Sequence, residues 1–258
     1  RSVHFDWRLA PYDLRSSKAH LAILKKSGLI ATKDADAIAW IGKAIESSKA
    51  AGAVSKAYVI RAANLSAKMK NYTAASNFYK ELVMTENNPD YWHDALAFFD
   101  RSRDFNPEES LDILRLMRAT NGLRFQQEYA AYLDSLSYIG VRYPAEAVSV
   151  LDEGFDKGVI SRNNVTFNER YNEAKARLAE DTRTLPGTIA PAKASSKPML
   201  ASLTADSFFS HKDYKTAKDL YESALSKGAV LDKDGGDQTD RTRFRLAMSK
   251  TMLGDYAG

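Results

Sequence analysis

Cysteine is absent from the 258-residue sequence, which excludes a disulfide framework and thiolate chemistry and weakens any structural zinc reading. Glycine and proline are scarce, at 13 and 7 residues, so collagen-like and low-complexity organisation fail as well. No apolar run approaches the roughly 18 residues that a membrane-spanning helix needs. Strand signals are sparse too. β-branched residues never alternate cleanly for more than a few positions, and no Asn-Gly hairpin turn sits between such runs.

The usual chemical constellations are missing. The 4 histidines, His4, His20, His93 and His211, are scattered, and no two stand four apart on one helix as a metal site favours. Gly235-Gly236 lacks the Lys-Ser or Lys-Thr of a phosphate loop. The paired acids Glu108-Glu109 and Asp152-Glu153 fall at helix starts and exposed faces, where acids are ordinary. The serine-rich stretches have no partnered His and Asp. The expectation is a protein that is not an enzyme and needs no cofactor or metal.

Charge points the same way. Lys and Arg number 37 against 33 Asp and Glu, a net of +4. All of that excess lies in residues 1–52, with nine basic against five acidic side chains, and the remainder is balanced at 28 of each. A nucleic-acid binder concentrates a basic face, because phosphate contacts supply much of the affinity. None is expected here.

What the sequence has in quantity is helical periodicity. Ala37, Trp40, Ile41, Ala44 and Ile45 fall on one face of a helix, as do Ala75, Phe78, Tyr79, Leu82 and Val83. Ala147, Val148, Leu151 and Phe155 make a third stripe, and Ala217, Leu220, Tyr221, Ala224 and Leu225 a fourth. Polar turn residues bound each stripe, which predicts an all-α fold of helices joined by short turns.

The turns repeat. Lys70-Asn71-Tyr72-Thr73-Ala74-Ala75, Lys212-Asp213-Tyr214-Lys215-Thr216-Ala217 and Gly254-Asp255-Tyr256-Ala257 share one layout. An alanine follows the tyrosine by three positions, and an aromatic follows that alanine by four (Tyr79, Tyr221). This resembles the tetratricopeptide repeat, a helix–turn–helix unit of about 34 residues. The alanine admits close helix approach and the aromatics fill the space between neighbouring pairs. Weaker copies are read at Phe105–Met117, with Asn106-Pro107-Glu108-Glu109 as cap and first turn. Another spans Tyr129–Phe155, with Arg142-Tyr143-Pro144-Ala145 at the turn. Asn87-Asn88-Pro89-Asp90 closes one unit before Tyr91-Trp92 opens the next. The resemblance covers residues 35–258 and implies a right-handed α-α superhelix, a tetratricopeptide-like solenoid.

Two stretches interrupt it. Residues 184–198 hold three of the seven prolines and read as a mobile loop. Residues 233–240 form a polar excursion that lengthens the last period to 42 residues; its aspartates lack the order and closing glutamate of an EF-hand. The pattern stops after a turn, which leaves a first helix uncovered and predicts a fragment, a partner over that end, or self-association.

Residues 1–34 fall outside the repeat pattern and read as a helical segment of other origin. Ser2-Val3-His4-Phe5-Asp6-Trp7-Arg8-Leu9-Ala10-Pro11-Tyr12-Asp13-Leu14, then Ser17-Lys18-Ala19-His20 and Lys25–Ile30, resemble the N-terminal stretch of argininosuccinate lyase. The resemblance implies a helical segment and, at Ser2, a substrate contact. The family's mobile loop, Gly-Ser-Ser-x-Met-Pro-x-Lys-x-Asn, and its His-Thr-x-x-Gln motif are absent. Ser195-Ser196-Lys197-Pro198-Met199 has the wrong order and no asparagine. Proton abstraction beside a carboxylate therefore has no agent.

A helical repeat array offers a concave surface lined by the first helix of each pair. The register puts Ile60, Asn64, Ala67 and Lys68 there in one unit, Tyr132, Leu136 and Ile139 in another, and Phe244, Met248 and Met252 in the last. Aromatics and methionines on such a face favour a peptide. Some tetratricopeptide proteins clamp a terminal carboxylate with Lys and Asn. Asn64 matches that asparagine, whereas Ile60 stands where the lysine belongs. The expectation is a scaffold or adaptor holding a protein or peptide ligand, in a bacterial cytoplasm or periplasm. The alternatives are a lyase-like small-molecule binder or enzyme accessory acting through residues 1–34, and a self-associating structural array.

Overall fold

A computed structural model describes residues 56–137 and 143–255, together with positions 36, 42 and 43. The chain divides into two compact bodies, residues 1–124 and 125–258. The first holds α1 (Lys56–Lys68), α2 (Tyr72–Thr85), α3 (Pro89–Asp100) and α4 (Pro107–Ala119). The second holds α5 (Gln126–Ser137), α6 (Pro144–Asp156), α7 (Val165–Thr184), a 3-10 turn (Leu185–Thr188), α8 (Ile189–Ala194), α9 (Pro198–Ser210), α10 (Tyr214–Ser226) and α11 (Thr239–Met252). The fold is all-α: among the described residues the only β pairing is an isolated bridge between Leu231 and Asp237. No helix among them is long and apolar enough to cross a membrane.

Helix starts follow from local chemistry. Asn71, Asn88, Asn106, Asn164 and Asp213 each cap a helix with a side-chain oxygen that accepts a backbone N–H. At Asn106 the box closes: its amide oxygen accepts from Glu108 and Glu109, and Glu109 accepts from the Asn106 N–H. Prolines stand in the first turns of α3, α4, α6 and α9, where a missing N–H removes no helical bond.

Two hairpins are built to one plan. α1 packs on α2, and α9 on α10. In the first, Val59, Ala62, Ala63, Ser66, Ala75, Tyr79 and Leu82 are buried; in the second, the corresponding residues Ala201, Thr204, Ala205, Phe208, Ala217, Tyr221 and Ala224 are buried too. Their turns also coincide. Lys70 and Lys212 take positive φ angles of 59° and 62°. The next residue donates to a carbonyl five positions back, Asn71 to Ser66 and Asp213 to Phe208, which is the Schellman arrangement. A third turn repeats it: Gly254 has φ 71° and Asp255 donates to Lys250. Ala75 and Ala217, both 0% exposed, let the paired helices close without a void.

Residues 184–198 differ from the expected mobile loop. α7 runs to Thr184, the 3-10 turn and α8 follow at once, and Pro198 opens α9. Leu185 and Ala192 are buried in the cluster that contains Phe208, Leu220 and Tyr221. The Lys227 ammonium closes the segment by donating to the carbonyls of Ala192, Lys193 and Ser195 at 3.2, 2.8 and 2.8 Å. The polar excursion before α11 is held locally. Asp232 Oδ1 accepts from the N–H groups of Asp234 and Gly236, and Oδ2 accepts from the Gln238 amide.

Candidate interaction surface

α1 buries Val59, Ala62, Ala63 and Ser66 and turns its opposite face outward. On that face Arg61, Asn64 and Lys68 are exposed, and at three and seven positions apart they form one stripe. With Ala57, Ile60 and Leu65 they line an open depression of about 540 Å³. Asn64 is tied from behind, because its Oδ1 accepts from the Tyr79 hydroxyl at 3.4 Å. Burial, and after it the charge of Asp94, pushes the Tyr79 phenol well above the usual tyrosine range, so the hydroxyl stays a donor. Tyr79 is itself packed against Phe98, with ring centroids 5.9 Å apart.

The predicted groove residues separate. Asn64 and Lys68 come together on α1, beside half-buried Ile60. Tyr132 and Leu136 do not line a groove: each is only 1% exposed. Both belong to the buried face of α5, and the Tyr132 hydroxyl donates to buried Glu146 at 2.7 Å. In the second body, Phe244 and Met252 stand out from α11 at 51% and 53% exposure, while Met248 is half-buried against the cluster around Phe208 and Leu220. Ser2, Ile139 and the stripe from Ala37 to Ile45, apart from Gly42 and Lys43, lie outside the described residues.

Other features carry charge without forming a site. His93 Nδ1 lies 2.8 Å from Asp94, and His211 Nε2 lies 2.5 Å from Asp181. Among the described residues no three His, Asp or Glu side chains group as metal ligands. Buried Asp206 on α9 faces Arg241 at 2.6 Å and Arg245 at 2.8 Å, both from α11. It also accepts from Tyr221 at 2.6 Å and Tyr143 at 3.4 Å. Desolvation opposes ionisation there most strongly, yet the two guanidiniums and the Tyr221 hydrogen bond together hold the carboxyl well below its ordinary range. This network fastens α11 to α9 and α10.

Sequence reasoning missed Arg61, although the signal was present. It stands three positions before Asn64 and seven before Lys68, so one helical projection puts all three on a common stripe.

No protein-family model matches the chain. Short stretches are similar to argininosuccinate lyases. The lyase of Nocardia farcinica is 58% identical over 36 residues, 14% of this chain and 8% of that enzyme. That of Streptomyces griseus is 66% identical over 29 residues, 11% of this chain and 6% of the enzyme. That of Mycolicibacterium smegmatis is 47% identical over 38 residues, 15% and 8% respectively. The chain thus spans under a tenth of the length of these relatives.

Proposed function

We propose that the described helices are tetratricopeptide-like repeat units, and that the chain is an interaction scaffold holding a peptide or helix against the outer face of α1. The observation that carries this reading is the recurrence of one hairpin design. The same seven positions are buried in α1–α2 and α9–α10, and the same left-handed turn closes the first helix at Lys70, Lys212 and Gly254. A unit that spends one face of its first helix on packing leaves the other face for a ligand. On α1 that face holds aliphatic side chains between hydrogen-bond donors, a mixture suited to a peptide.

The test is affinity capture with the full chain as bait, beside a second bait carrying Asn64→Ala and Lys68→Ala. A protein retained by the first and lost from the second supports the reading. Retention of the same proteins by both baits contradicts it.

A further inference from the structure

We infer that the face of α1 takes an internal acidic segment of its partner and binds side-chain carboxylates rather than a chain terminus. This rests on the scaffold reading and adds the chemistry of the ligand.

α1 contains Lys56, Arg61 and Lys68 and no Asp or Glu. Lys56 is occupied by Glu86. Arg61 and Lys68 have no acidic partner among the described residues, unlike Arg162, Arg170, Arg177, Arg183 and Arg243, each of which faces a carboxylate. Between them stands Asn64, whose carbonyl oxygen accepts from Tyr79 at 3.4 Å and whose amide NH₂ adds two N–H donors to the stripe. The stripe therefore presents donors, two of them cationic, and an acceptor-rich anionic ligand complements it.

Spacing and lining narrow the class. Seven residues of helix separate Arg61 from Lys68 by about 10 Å, a distance that acids two turns apart on a docked helix reproduce. Ala57, Ile60 and Leu65 beside the stripe call for aliphatic side chains between those acids. A terminal carboxylate needs a focused cluster of donors, whereas Ile60 puts an apolar side chain one turn before Asn64. Nucleic acid is disfavoured by number. Each phosphate contact contributes a salt-dependence slope of about −0.9, so two cations amount to a weak footprint.

The experiment is selection of random peptides, displayed through their C termini so that no terminal carboxylate is free, against the full chain. Selected peptides are expected to be enriched in Asp and Glu interleaved with aliphatic residues. Arg61→Gln with Lys68→Gln should weaken a selected peptide roughly five- to tenfold, on the scale of two exposed ion pairs. Both positions are exposed, and circular dichroism checks that the variant stays helical. Peptides selected without acidic enrichment, and bound equally by the variant, overturn this inference and leave the scaffold reading standing. Failure of the folded native chain to select any peptide overturns both. A duplex oligonucleotide titrated in parallel, bound by the native chain and lost in the variant while no acidic peptide is selected, replaces the acidic segment with nucleic acid.

Discussion

Asp206 shows how one buried charge can be tolerated in a helical core. Its carboxylate is fully buried, and it persists because Arg241 and Arg245, one turn apart on α11, and the Tyr221 hydroxyl all converge on it. Removing the charge while keeping the shape, Asp206→Asn, leaves two guanidiniums without their counter-ion at a cost of about 3 to 5 kcal/mol, read from urea unfolding of the full chain. The pH dependence has a definite sign. The folded-state pKa is depressed, so the contribution is complete above about pH 4, the ordinary carboxylate value, and falls away as the pH drops through the folded value. The native chain should lose this stability in acid, and the Asp206→Asn variant should lack that part of the acid dependence. Equal acid profiles for the two would sink the account of the network. Close approach is a second residue-scale device. Gly154 on α6 has no room for a Cβ, which would stand 2.5 Å from Ile160 and 3.0 Å from the Tyr129 ring.

The Schellman turn joins the helices of each repeated hairpin. Lys70 and Lys212 occupy a left-handed position that Gly254 fills without strain at the third turn. Lys212→Gly should therefore stabilise the second body by about 0.5 to 1 kcal/mol, a gain visible as a higher urea midpoint. An unchanged or lower midpoint contradicts the equivalence of the turns. Much of this element layer was legible in the sequence. Asn106-Pro107-Glu108-Glu109 announces its capping box, and the Tyr72 and Tyr214 turns announce each other. The ordered segment 184–198 was not legible, for a physical reason. Its prolines read as breakers, yet Pro186 and Pro191 stand in the first turns of two short helical pieces and Pro198 in the first turn of α9, where they are tolerated. The Lys227 ammonium that closes the α8 carbonyls comes from more than thirty residues away. Tyr132 and Leu136 teach a related lesson. Their four-residue spacing correctly puts them on one face of α5, but only the neighbouring helix determines that the face is buried, and Glu146 supplies the acceptor.

At the scale of the whole molecule, charge separates structure from recognition. Most exposed ion pairs in the described residues are local, such as Lys157 with Glu153 and Arg177 with Glu173, and each contributes little to stability. The candidate surface departs from that habit, since Arg61 and Lys68 stand in an element with no acid of its own. That Asn64 and Lys68 share one exposed side of α1 was readable from their four-residue spacing. Arg61 and the engagement of Asn64 by Tyr79 required knowing which face of α1 turns outward.

If the outer face of α1 holds a protein segment, calorimetric titration will detect it there. The protein retained in the capture experiment would be titrated into the full native chain, into an Ile60→Asp variant and into an Lys233→Asp variant altered at an exposed loop position. The account predicts saturable binding to the native and Lys233→Asp chains, and affinity lowered at least tenfold by Ile60→Asp, which puts an acid into the apolar part of the depression. Equal affinity for all three would place the partner elsewhere and contradict it.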